Sequence, residues 1–75
     1  HVLIVPKTHY DNAAELAEAS TEAIADLFQL AGEIADARGL KGYRTVFNTG
    51  AEAGQSVFHA HLHLLGGRSL TWPPG

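Results

Sequence analysis

The chain has 75 residues, a formal net charge of −3 at neutral pH and no cysteine. Five Lys and Arg residues give no basic field for nucleic acid, and without cysteine there is neither a disulfide nor a thiolate metal site. No apolar run approaches the length of a membrane-spanning helix, and no repeat or low-complexity linker divides the sequence.

The pattern predicts strand, short helix, long helix, strand, strand. Val2 to Val5 is β-rich and stops at Pro6, which has no N–H for a ladder bond. Asn12, with Glu15 three residues on, reads as an N-cap and capping-box partner opening a short helical turn. Ser20 or Thr21 caps the main helix, whose apolar side is Ile24, Leu27, Phe28, Ala31 and Ile34. Gly39 is placed to supply its left-handed stop. His9 falls in a lysine-threonine loop and reads as a surface residue. Tyr43 to Phe47 forms a second strand and Val57 to Leu65 a third. Seventy-five residues bury only a modest core, so support from a partner chain is expected.

The third strand carries the most informative stretch, His59-Ala60-His61-Leu62-His63-Leu64-Leu65. Side chains alternate across a strand, so His59, His61 and His63 share one face. Phe58, Ala60, Leu62 and Leu64 form the other, which reads as a core surface. Three chemistries suit such a row. The first is a solvated polar face with incidental histidines. The second is metal binding, for which neighbours on one face start about 6.8 Å apart and the outer pair about 13.6 Å apart. Zinc–nitrogen bonds of about 2.0–2.1 Å would let His61 and His63 converge, but all three only with strong bending. The third is covalent catalysis. An imidazole whose one nitrogen is held protonated by a backbone carbonyl presents a nucleophilic lone pair on the other, and His61, in the middle, is the natural candidate.

Upstream, Asn48 through Ser56 links two strands and contains Gly50 and Gly54. Gly54-Gln55-Ser56 is suited to turn consecutive N–H groups inward beside the Ser56 hydroxyl, a nest that holds phosphate oxygens without a lysine. Asn48, by itself, also reads as an ordinary turn residue.

The histidine stretch resembles the histidine-triad motif, in which histidines alternate with hydrophobic residues. The likeness runs along the chain. His1-Val2-Leu3-Ile4-Val5-Pro6-Lys7 resembles the strand that brings a further active-site histidine. Gly42-Tyr43-Arg44 and Asn48 to Ser56 resemble the next strand and phosphate loop. Gly66-Gly67-Arg68 and Trp72-Pro73-Pro74-Gly75 resemble the ending of the histidine triad nucleotide-binding branch.

The resemblance implies an α+β fold, an antiparallel sheet with one main helix, extended across a homodimer. It implies hydrolysis of purine nucleoside phosphoramidates of the adenosine 5′ type, through a nucleotidyl-histidine intermediate and with no cofactor or metal. His61 would be the nucleophile. His63 and Ser56 would contact phosphate oxygens or the leaving group, with Gly54, Gln55 and Asn48 adding substrate contacts. His59 would orient His61 partly through its carbonyl, His1 would extend the proton network, and Trp72 would act near the neighbouring subunit's site.

Family domains carry a further N-terminal segment with ribose and base contacts. The resemblance therefore covers the C-terminal part of a single domain, residues 1–75, in which phosphate contacts are present and most of the nucleoside pocket is not. The alternative function is a non-catalytic nucleotide-binding or interaction module. The expected location is cytoplasmic, with a purine nucleotide and a second copy of the chain as partners and no membrane or nucleic acid.

Overall fold

Ser20 serves two helices at once. In the computed structural model, which describes residues 1–75, its backbone N–H closes α1 (Ala13–Ala19) on Leu16 O, and its hydroxyl accepts from Ala23 N at 3.1 Å to open α2 (Thr21–Ala37). The cap is thus Ser20 rather than Thr21, because only an extended residue can turn its side chain back onto the first free N–H groups. Asn12 caps α1, accepting from Glu15 N at 2.9 Å. The Glu15 carboxylate reaches back to Asp11 N at 3.2 Å, one residue before the position a capping box uses. At the far end of α2, Gly39 takes φ 64°. Leu40 N then reaches Ala35 O and Gly39 N reaches Asp36 O, both at 3.0 Å, the double bond pattern of a Schellman stop.

Three antiparallel strands form one sheet in the order β1-β3-β2: β1 is Val2–Ile4, β2 is Tyr43–Val46 and β3 is Leu62–Gly66. The central strand faces Val2 with Leu64 on one side and Val46 with His63 on the other. The core lies between helices and sheet, built from Ile4, Leu16, Leu27, Ala31, Ala60, Leu62 and Leu64. Ala60, Leu62 and Leu64 are 0–2 % exposed, as the alternation predicts.

Two expectations fail at the margins of this core. The third strand begins at Leu62, not Val57. A strand lasts only as long as its partners, and β1 and β2 end opposite Leu62 and His63. Residues 58–61 lie outside the ladder and dock on the 6–11 loop instead, with Ala60 N donating to Tyr10 O at 2.7 Å. Phe58, released from the strand pattern, is 52 % exposed. Phe28 is likewise exposed, its ring meeting Phe47 edge-on at 5.9 Å, while Ala35 takes a place in the buried helix face.

Candidate active site

His61 lies one residue before β3, and its Nδ1 sits 2.7 Å from the carbonyl oxygen of His59. A carbonyl only accepts, so Nδ1 carries the proton and Nε2 carries the lone pair. The chain leaves the regular ladder at this point, which frees the His59 carbonyl for a side chain two residues on.

His63 follows on the central strand, its ring centroid 5.0 Å from that of His61. On its other side His1 approaches, with Nε2 2.8 Å from His63 Nδ1 and centroids 5.1 Å apart. The antiparallel pairing of β1 with β3 brings the start of the chain to this histidine. His63 Nε2 is shielded from solvent and has no hydrogen-bond partner. Burial first, and the neighbouring His61 second, hold His63 below the ordinary histidine value of 6.5 and favour its neutral ring. A neutral imidazole offers one donor and one acceptor. If His1 donates to Nδ1, Nε2 holds the proton, which suits it to an anionic oxygen or a departing amine.

His59 does not share a histidine face with the other two. Its Nε2 donates to Pro6 O at 2.9 Å and its ring meets His9 edge-on at 5.0 Å. His9 is exposed, as expected of a loop residue, yet it is bonded on both sides: Nδ1 to His59 Nδ1 at 3.3 Å and Nε2 to the Asp11 carboxylate at 2.9 Å. Nothing in the local sequence marks this contact beyond the His9-Tyr10-Asp11 spacing.

The loop before the triad works differently from the expected nest. Gly54 N donates to Ala51 O and Gln55 N to Gly50 O, so both N–H groups close a local turn and are unavailable to an anion. Gly54 itself sits at φ 95°, which suits glycine. Gln55 is buried, with Oε1 accepting from Gly50 N at 2.8 Å and Nε2 donating to Asp11 O at 2.6 Å and Val57 O at 3.2 Å. Its amide donors are therefore spent inside the protein, and it ties the 50–57 loop to the 6–11 loop. Ser56 is exposed and makes no hydrogen bond through its hydroxyl, while Asn48 is half-buried with its amide unbonded; both remain free to meet a ligand. Trp72 is 79 % exposed, with the Arg44 guanidinium 5.7 Å from its ring centre. Arg44 also donates to Thr71 O at 3.1 Å, which holds the tail beside β2.

The family model described as HIT domain matches residues 1–70. An uncharacterized HIT-like protein of Synechococcus elongatus is 47 % identical over 76 residues, covering all of this chain and 67 % of that protein. A 14 kDa zinc-binding protein of Zea mays is 46 % identical over 79 residues, covering all of this chain and 61 % of its own length. The crystal structure of a HIT family hydrolase from Legionella pneumophila superposes with a TM-score of 0.91 at 47 % identity, covering 97 % of this chain and 67 % of that one. The chain thus spans about two thirds of the length of the proteins it matches. No three of the His, Asp and Glu side chains stand together as a metal site. The 2.8 Å between His1 Nε2 and His63 Nδ1 is a hydrogen-bond distance, whereas two nitrogens on one tetrahedral zinc stand about 3.3 Å apart.

Proposed function

This chain belongs to the HIT domain family, and from that premise we propose that it carries the phosphate chemistry of a purine nucleoside phosphoramidase. The observation behind this reading is the 2.7 Å bond from His61 Nδ1 to the His59 carbonyl. It leaves the His61 Nε2 lone pair as the nucleophile without any deprotonation at the moment of attack.

In the first step His61 Nε2 bonds to phosphorus and the phosphorus–nitrogen bond of the substrate breaks. The leaving nitrogen takes a proton and departs as an amine. In this reading His63 Nε2 gives up that proton while His63 Nδ1 takes a replacement from His1, 2.8 Å away. Ser56 contributes a hydroxyl to the phosphoryl oxygens and Asn48 an amide. In the second step water attacks phosphorus and its proton returns to the His63–His1 pair, the bond to His61 breaks, and the nucleoside monophosphate leaves with His61 restored.

A second copy of the chain completes this reading. β2 is an open edge of the sheet, and Tyr43 on it and Phe28 on α2, whose ring meets Phe47 just past the strand, are 46–48 % exposed. Apolar side chains beside an unpaired strand edge favour pairing with a like edge, which would continue the sheet and bring the Trp72 tail toward the neighbouring site.

The test is to incubate the protein with an adenosine 5′-phosphoramidate, quench in alkali and map the nucleotidyl group by mass. Adduct on His61 supports the proposal. Nucleotide binding without adduct or turnover would favour the non-catalytic binding module instead.

A further inference from the structure

Two hydrogen bonds fix where protons sit around His59. Pro6 O can only accept, so the His59 Nε2 that approaches it at 2.9 Å carries a hydrogen. An ionised Asp11 can only accept, so His9 Nε2, also at 2.9 Å, carries another. A neutral imidazole has one N–H, and each ring has now spent it at Nε2. Two neutral rings would therefore present bare lone pairs at Nδ1. Yet these two Nδ1 atoms face each other at 3.3 Å, with the rings at 82°. The contact becomes a hydrogen bond only when one more proton lies between them.

We propose that His9 and His59 bind one additional proton as a unit, held on His9 beside Asp11, and that this unit positions the His59 carbonyl that aligns His61. His9 and Asp11 are positioning residues, since they touch neither phosphate nor nucleophile. The part concerning His61 rests on its role as the nucleophile.

Asp11 and His59 are the titratable groups hydrogen-bonded to His9. From α1, Glu15 reaches the backbone N of Asp11, and neither Lys7 nor Tyr10 of the same loop hydrogen-bonds to the pair. From the sheet, His61 is linked to His59 through the carbonyl alone, and His1 and His63 form a separate pair. The His9 and Asp11 side chains are 62 % and 55 % exposed, so the unit exchanges its proton with solvent. When that proton leaves, two lone pairs oppose each other, the rings part, and the segment holding the His59 carbonyl loosens. The device therefore favours turnover below the pH at which the pair deprotonates and weakens it above.

Ring-nitrogen spectra of the ¹⁵N-labelled chain across a pH series test the proton count without any reaction. The expected result is His59 protonated at Nε2 throughout, and His9 protonated at both nitrogens until one shared step that also moves the His59 signals. Independent titration of the two rings, or a His9 that never carries both protons with Asp11 ionised, would overturn the proposal. A second arm measures single-turnover cleavage of an adenosine phosphoramidate against pH. His9→Asn places an amide N–H where Nδ1 stands and donates to His59 without titrating. It should keep most of the rate and lose the alkaline decline, whereas His9→Phe should lower the rate about 10–10²-fold. Asp11→Asn should move the decline to lower pH. Variants that scale the rate equally at every pH would reduce His9 to a packing role and defeat the positioning claim. A chain that cleaves no phosphoramidate defeats the hydrolase reading instead, and the spectra still decide the proton count.

Discussion

The His59 carbonyl holds His61 Nδ1 at 2.7 Å, so the first histidine of the triad serves the second through its backbone while its own ring turns away to Pro6 and His9. A row of three equivalent imidazoles is therefore the wrong picture. The residues divide into a ring with a fixed tautomer, His61, a backbone acceptor that fixes it, and a shielded ring favoured in its neutral form, His63, beside it.

His61→Ala should remove the lone pair and little of the fold, because His61 is not one of the residues that build the apolar core. A loss of at least about 10³-fold in turnover is expected, with thermal unfolding close to wild type. Near-normal phosphoramidase activity in this variant would refute the assignment.

Ser56→Ala should slow the chemical step by up to about 10²–10³-fold, less if water replaces the exposed hydroxyl. Affinity for adenosine monophosphate should change little. An unchanged single-turnover rate with weaker binding would place Ser56 in recognition alone.

Gln55→Leu should act on stability. The substitution strands the Gly50 N–H and the Asp11 and Val57 carbonyls that the amide now satisfies, at a cost of about 1–3 kcal/mol. Denaturant titration checks this, and the catalytic loss should shrink when the variant is assayed well below its melting temperature.

Acid should destabilise the fold through His63. Its folded-state affinity for a proton is lowered by burial and by His61, so the unfolded chain protonates first as pH falls through 6.5. The stability that depends on the neutral ring is fully present above pH 6.5 and drains away as pH falls through the lower folded-state value. His63→Asn should flatten this part of the stability profile. A wild-type and variant pair with parallel profiles between neutral and mildly acid pH would contradict the assignment.

The exposed aromatics of α2 and β2 lead to a dimer prediction. Sedimentation at micromolar concentration should give a species of twice the chain mass, and Trp72→Ala should alter the choice among amine leaving groups more than the rate on the simplest one. A stable monomer would remove both expectations.

Much of the local structure is legible in the residues themselves. Asn12 and Ser20 cap helices through their own side chains, Gly39 ends α2 through its own φ, and the Ala60-Leu62-Leu64 alternation marks the core face. Each of these depends on atoms a few residues apart. The triad is legible for the same reason, since the spacing of His59 and His61 already puts a carbonyl within reach of a ring.

What the sequence by itself determined was therefore the order of elements, the helix ends, the buried alternation and the family of the chain. Only the tertiary structure decided where β3 begins, because ladder length belongs to its partners rather than to the strand. It also decided that Gln55 is a brace and that His9 meets His59, because the Gln55 bond to Asp11 spans 44 residues and the His9 contact with His59 spans 50. Such contacts are made by the docking of two loops, and neither loop carries in its own spacing any trace of which residues the other will present.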